Sequence, residues 1–274
     1  MNMYKPSALR AFLDEIGAAP KKSLSQNFLI DGNIVRKIVA LAGVKPGDSV
    51  LEIGPGPGVL TEELLLQGGH VLAIEKDRKF AQTLSRLQTP DQHLRVIEAD
   101  ALSVPLDQIP SHTKVVANLP YQITTPLLAR LLPRQDVFES ITVMVQREVA
   151  ERMLAHPATK DYSSLTVFVQ FYAELHYGFT VAKSCFYPAP KVESAVVKFL
   201  LKKPPTVSSQ EEFFQMTRRA FQQRRKMIRS SLREDYTPAS IDLGLQKAGK
   251  NLQSRPEELS LADFLILFQE IEKK

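Results

Sequence analysis

Cysteine occurs once in the 274-residue chain, at Cys185. One thiol can close no internal disulfide and build no thiolate metal cluster, and the five histidines are scattered without the spacing of metal ligands. Metal catalysis is therefore not expected, and Cys185 reads as a small packed residue rather than a nucleophile. No apolar stretch approaches the roughly twenty residues that cross a bilayer. The first residues lack a charged-then-apolar leader pattern, so a cytoplasmic protein without membrane contact is expected. Repeats and low-complexity tracts are missing as well. What is present is a 44% apolar composition, enough at this length for one large core and a small second one. The net charge of +5 suits a polyanionic partner, provided that the basic side chains cluster.

Apolar runs alternate with helical patterns, as repeated strand-helix units require, and predict a doubly wound α/β fold. A helix at Asn33–Ala42 precedes a first strand at Ser49–Ile53, and a helix at Thr61–Gln67 follows it. Further strands read at Val71–Ile74, Leu94–Ile97, Val115–Ala117 and Ile141–Val145, the last running into a helix at Arg147–Leu154. Leu175–Val181 and Ser194–Leu200 have no helix between them and predict an antiparallel pair at one sheet edge. After Lys202-Lys203-Pro204-Pro205 only helical patterns remain. The proline pair marks a linker, which puts a large domain at 1–203 and a small helical one at 204–274.

The first strand leads into Gly54-Pro55-Gly56-Pro57-Gly58, where glycine lets backbone approach a ligand without a Cβ clash. The second strand ends at Glu75, roughly twenty residues on, the distance at which a carboxylate can receive ribose hydroxyls. The third ends at Asp100, placed for an adenine amine. Each feature alone also suits an ordinary loop or a solvated strand end; together they point to a nucleoside-containing cofactor. The dinucleotide fingerprint wants a glycine at its sixth position, and here Val59 stands there. A ligand without phosphates, such as S-adenosylmethionine, fits the loop better. At the end of the fourth strand lies Asn118-Leu119-Pro120-Tyr121: an amide, a proline-fixed turn and an aromatic plane, the parts needed to hold a flat amine-bearing ring. The bland alternative is a strand-to-helix turn with a packed tyrosine.

With that motif added, the chain resembles the ribosomal RNA adenine N6,N6-dimethyltransferases of the KsgA type and their eukaryotic relatives. The likeness rests on Gln26-Asn27-Phe28-Leu29, Glu52-Ile53-Gly54-Pro55-Gly56, Asn118-Leu119-Pro120-Tyr121, the run Pro188 to Val197, and Arg218 to Lys226. Ser25 departs from the glycine that commonly precedes Gln-Asn-Phe-Leu, and Pro57 occupies a variable loop position. The resemblance implies a Rossmann-like class I S-adenosylmethionine-dependent methyltransferase sheet with a small all-helical C-terminal domain. It implies dimethylation of two adjacent adenosines near the 3′ end of small-subunit ribosomal RNA, with S-adenosyl-L-homocysteine as the other product. The expected partner is that RNA within an immature small subunit, bound by a monomer. By resemblance Asn27, Leu29, Gly54, Gly56, Glu75, Lys76, Asp100, Ala101 and Asn118 hold the cofactor. Asn118 and a backbone carbonyl at Leu119 or Pro120 would receive the amine protons, Tyr121 would stack on the target base, and Phe186 would cover its other face, the alternative for Phe186 being core packing between a loop and an edge strand. Two alternatives stay open: an Erm-type large-subunit methyltransferase, and a ribosome-assembly factor whose methyl transfer is secondary.

The segment Glu211 to Arg233 has its own pattern. Taken as one continuous helix, it gathers Arg218, Arg219, Arg225, Lys226, Arg229 and Arg233 on an arc of about 120°, with Phe214, Phe221, Ile228 and Leu232 beside it. Such a face is often merely solvated; next to a base-sized pocket it predicts phosphate contacts. Lys21-Lys22 would extend the track.

Overall fold

The structure, a computed structural model, describes residues 3–21, 24, 26–90, 93–223 and 226–273. Packing divides the chain into two compact units, Met1–Ala150 with His176–Leu201, and Glu151–Leu175 with Lys202–Lys274.

In the first unit, helix α1 (Pro6–Glu15) precedes strand β1 (Phe28–Leu29) and helix α2 (Gly32–Ala42). Strand-helix units follow: β2 (Ser49–Ile53), α3 (Val59–Leu66), β3 (His70–Glu75), α4 (Arg78–Thr83), β4 (Leu94–Glu98), β5 (Thr113–Asn118), α5 (Thr124–Leu131) and β6 (Phe138–Gln146). Helix α6 (Arg147–Leu154) and helix α7 (Ser164–Tyr172) lead to β7 (Ala173–Val181), β8 (Phe186–Tyr187) and β9 (Ser194–Leu201). The seven-stranded sheet has the order β4-β3-β2-β5-β6-β9-β7. From β4 to β6 neighbouring strands run parallel, and β9 lies antiparallel to β6. The central strands are near-continuous apolar runs because both their faces are covered, as parallel sheets demand. Every predicted strand is present within two or three residues of its expected ends. Lys202 N–H donates to the Tyr172 carbonyl and Gly178 lies against Val196, contacts that make β7 and β9 the expected antiparallel edge pair. The short strands β1 and β8 form a separate antiparallel pair that no hydrophobic run announces.

Helix α2 covers one sheet face through Val35, Ile38, Val39 and Ala42, a spacing of three and four residues. Asp31 caps its first turn by accepting the Asn33 and Ile34 N–H groups. At the other end Gly43 turns left-handed at φ 69°. Two lysines rising from the sheet meet the open carbonyls there. Lys198 Nζ donates to Leu41 and Ala42, and Lys114 Nζ to Gly43, with Asp48 Oδ2 at 2.7 Å from the same ammonium. Cations at a helix C-terminus also answer its negative dipole end.

The helical unit is built on aromatic rings. Phe168, Phe171 and Tyr172 of α7 pack against Phe213 and Phe214 of α8 (Gln210–Gln222), and Phe213 meets Phe268 of α11 (Leu261–Ile271) at 5.5 Å. The segment Glu151–Leu175, left with the large domain in the sequence division at 203, packs in this unit because its aromatic face finds those partners. One expectation needs correction. Glu211 to Arg233 is not one helix: α8 stops at Gln222, and α9 (Ile228–Leu232) starts anew before α10 (Pro238–Lys247). Phe214, Ile228 and Leu232 are buried as expected, but among the described residues Arg218 and Arg219 stand on α8 and Arg229 on α9, so they share no single helical arc. Hydrophobic spacing survives a break of this length, whereas the angular sum does not.

Within β2, Glu52 is 1% exposed and accepts the Thr61 N–H in the first turn of α3, while its Oε2 is buried without a hydrogen-bond partner. Burial, reinforced by the nearby charge of Glu75, pushes its carboxyl up to about 8. The folded chain therefore keeps a proton that the unfolded side chain releases near 4.5, and stability should decline as pH rises between those values and level off above them. Unfolding in urea at about pH 5 and about pH 9 should show a loss of roughly 2–4 kcal/mol that Glu52→Gln, neutral throughout, largely removes. Equal pH slopes in the two proteins would contradict a protonated Glu52.

Candidate functional site

The strand order turns back between β2 and β5, the switch point at which open α/β sheets leave a crevice at their carboxyl ends. A cleft occupies that place. Its floor is Ile53, Gly54 and Gly56; β3 contributes Glu75 and the turn after it Lys76, the turn after β4 contributes Asp100 and Ala101, and β5 contributes Asn118, followed by Leu119, Pro120 and Tyr121. Leu24 and Gln26–Phe28 form the remaining wall.

The loop after β2 is left-handed at Gly54 (φ 67°) and Gly56 (φ 53°). A Cβ on Gly54 would meet nothing nearer than Pro120 at 3.8 Å, so glycine there leaves open space beside the backbone. A Cβ on Gly56 would stand 2.9 Å from the Phe28 ring, so that glycine admits the wall. Glu75, 5% exposed, ties the loop down: Oε2 accepts Gly56 N–H at 2.9 Å and Oε1 accepts Asp77 N–H at 2.7 Å. Burial raises its pKa and the backbone donors oppose the rise. The Lys76 N–H bonds the carboxyl as well, and the rest of a carboxylate's about four acceptor positions is open to a ligand's hydroxyl. Across the cleft, Asp100 accepts Leu102 N–H on Oδ1 and pairs with Lys76 Nζ at 2.8 Å on Oδ2. The Lys76 hydrogen bond chiefly holds its carboxyl below the usual range.

Asn118 ends β5 with its side chain partly engaged. Nδ2 donates to the Asn27 carbonyl at 3.0 Å, which fixes the amide plane and leaves Oδ1 as the remaining side-chain acceptor. Pro120 sets the turn, and Tyr121 opens a short 3-10 stretch, Tyr121–Ile123. The Tyr121 hydroxyl and Ser194 Oγ lie 2.6 Å apart. Burial raises the phenol's pKa and the Ser194 bond opposes that.

Asn27, Gly54, Gly56, Glu75, Lys76, Asp100, Ala101, Asn118, Leu119, Pro120 and Tyr121, all named from the sequence, line this one cleft. Leu29 and Phe186 do not. They face each other across the β1–β8 pair, 5% and 3% exposed, as part of the hydrophobic core behind the wall. The Phe186 ring thus takes the packing role, and the expectation that it covers a base is corrected. Cys185 is half-buried with Sγ 3.7 Å from Asp31 Oδ2, and burial raises its pKa. Arg130 of α5 was missed: its guanidinium donates to the Ala101 and Val104 carbonyls, holding the Asp100 turn to the helix that follows Tyr121. No spacing rule marks such a residue.

In the helical unit the basic residues divide. Arg219 pairs with Glu234 and Asp235, and Arg229 with Asp242 at 3.1 Å. Arg218 and Lys226 are exposed, and Arg225 lies outside the described residues. Lys21 is engaged by Asp77, and Lys22 is outside the described residues.

The pattern of the family described as "Ribosomal RNA adenine dimethylase" matches residues 17–273. A protein of Protochlamydia amoebophila, "Ribosomal RNA small subunit methyltransferase A", is 51% identical over 278 residues, covering 99% of this chain and 98% of its own. Its namesake in Chlamydia abortus is 46% identical, covering 98% of each. Among solved structures, a dimethyladenosine transferase from Plasmodium falciparum superposes with a TM-score of 0.76 at 28% identity, covering 90% of this chain and 98% of that one. The 23S rRNA methyltransferase ErmE gives 0.71 at 27% identity, covering 90% and 100%.

The contact between loop and wall is open to measurement. Gly56→Ala adds a methyl against Phe28 at a positive φ, and should destabilise by about 2–4 kcal/mol. Gly47→Ala, also at positive φ (85°) but with nothing within 4 Å, should cost only about 1–2 kcal/mol. Equal losses in urea unfolding would mean that the ring yields without cost.

Proposed function

The chain belongs to the ribosomal RNA adenine dimethylase family, and from that premise we propose that it dimethylates N6 of two adjacent adenosines near the 3′ end of small-subunit RNA, acting as a monomer on an immature small subunit. It is an S-adenosylmethionine-dependent rRNA adenine dimethyltransferase. The observation that carries the reading of the site is the meeting, in one cleft, of nucleoside-holding groups on β2, β3 and β4 with the Asn118–Tyr121 turn on β5.

The residues present fit the cofactor. Gly54 leaves room beside the backbone, Glu75 keeps acceptor capacity for a ribose hydroxyl, and Asp100 offers a carboxylate to an adenine amine. S-adenosylmethionine, when bound, supplies a methyl group made electrophilic by a sulfonium. The protein's task lies with the nucleophile. The exocyclic nitrogen of adenine is weak because its lone pair is delocalised into the ring. Acceptors at both amine protons favour the pyramidal geometry that frees it. Asn118 Oδ1 is one acceptor, held in place by the bond from Nδ2 to Asn27. The Pro120 carbonyl already accepts the Ile123 N–H at 3.1 Å, so the Leu119 carbonyl is the better second acceptor. The ring of Tyr121 stacks on the base. The nitrogen becomes acidic as it is alkylated, so its proton leaves through Asn118 Oδ1 or water. No strong base is needed, and positioning and electrostatics do most of the work. Turning a base out of RNA costs a few kcal/mol, and an aromatic face returns about 1–3. Arg218, Lys226 and Arg225 meet phosphates, which adds affinity that salt weakens. Arg219 and Arg229 instead hold the helices together through their acidic partners.

A second reading has one observation in its favour, the likeness to ErmE over the whole of that chain. Incubation with labelled donor and undermethylated small and large ribosomal particles decides between them: label on adenine in the small particle supports the first reading, and label confined to the large particle overturns it. In the same assay Asn118→Ala should slow methyl transfer by at least about 100-fold, and Tyr121→Ala by roughly tenfold or more. Tyr121→Phe, which keeps the ring and loses only the Ser194 bond, should stay within about threefold of wild type. Full activity in Asn118→Ala would end the assignment.

A further inference from the structure

Between α1 and β1, Leu24 and Gln26–Phe28 line the cleft, and described residues of this stretch are tied repeatedly to the turn after β3. Lys79 Nζ donates to the Gly17 carbonyl. Lys21 Nζ lies 2.7 Å from Asp77 Oδ2, and the Lys21 N–H donates to Gln26 Oε1 at 2.8 Å. The Phe28 ring meets Phe80 of α4 edge-on at 5.1 Å. Asp77 is the centre of this arrangement. Its side chain is 3% exposed, its Oδ1 accepts Lys79 N–H to cap α4, and its own N–H is the 2.7 Å donor to Glu75 Oε1. One residue on the rim segment therefore bears on both Gln26, in the cleft wall, and, through Asp77, on the carboxylate assigned to the ribose.

We propose that Lys21 is a positioning residue for the cofactor: its ion pair with Asp77 seats the wall residues Gln26, Asn27 and Phe28 against the cleft and keeps Asp77 directed at Glu75. This rests on the reading of the cleft as the S-adenosylmethionine site. An exposed lysine in an ion pair ordinarily contributes about 0–1 kcal/mol. Here the acid is covered, so removing the ammonium leaves its carboxylate with the Lys79 N–H and the Gln26 side chain as hydrogen-bond partners and without its counter-charge. Burial pushes the Asp77 carboxyl up, yet Lys21 and the Lys79 N–H outweigh it and hold the group below its ordinary range. The competing role, in which Lys21 extends a phosphate-binding track, needs the ammonium free.

Titration calorimetry with S-adenosylhomocysteine separates the two. Lys21→Met, which keeps the aliphatic stem, should weaken binding roughly tenfold and raise KM for the donor in step, while kcat at saturating donor stays within about twofold. Lys21→Arg should restore binding to within about threefold. Asp77→Asn keeps the cap and the backbone donor, and should weaken binding as Lys21→Met does; the double variant should be no worse than either single one, since both remove one interaction. Unchanged affinity in Lys21→Met, beside a wild type that binds, overturns the inference alone. So does a loss of RNA affinity with cofactor affinity intact. A wild type that fails to bind the nucleoside overturns the reading of the cleft and the inference with it.

Discussion

The carboxylate of Glu75 is the point on which the cleft is assembled. One oxygen receives the N–H of Gly56 and the other that of Asp77, so a buried acid satisfies donors from the loops after β2 and β3. A buried carboxylate without such donors would be driven to neutrality. With them it can serve as a hub, and the acceptor capacity not so used is available to a ligand. The same economy appears nearby at Glu52, which holds the first turn of α3 with a single oxygen and accepts neutrality instead. Two glutamates on neighbouring strands thus meet burial unequally: both carboxyls are pushed up, and Glu75 is the one that gathers several backbone donors against the rise.

The helix that backs the wall is held with equal care. Asp31 engages the open N–H groups at one end of α2, and Lys114 and Lys198 engage the open carbonyls at the other. Strands β5 and β9 supply those lysines, so the sheet itself determines where the helix stops. Since β1 leads directly into α2, the placement of Asn27 and Phe28 follows from a helix clamped at both ends, and the orientation of the Asn118 amide follows from Asn27.

Much of this was legible in the amino-acid order. Parallel strands declare themselves because burial on both faces demands unbroken apolar runs, and the acids and amide at their ends fall at one sheet edge once the topology is doubly wound. Eleven of the residues named from motifs line the cleft together. The failures share a cause: they concern what a side chain meets, not what it is. Phe186 is aromatic and near the site, but its strand pairs with β1 and turns the ring into the core. The basic arc assumed a helix that stops at Gln222. Arg219 and Arg229 are cations whose partners, Glu234, Asp235 and Asp242, sit at no diagnostic spacing. Arg130 acts on carbonyls, which every residue possesses and no pattern distinguishes.

The β1–β8 pair joins Phe28 to Tyr187 and Leu29 to Phe186. A ladder of two residues is too short to hold by itself, and its halves stand far apart along the polypeptide. Bringing them together costs loop-closure entropy that grows only with the logarithm of the intervening length, and burial of Phe28, Leu29 and Phe186 in a shared core offsets it. The wall of the cleft is thus backed by a segment from the far side of the domain's sequence.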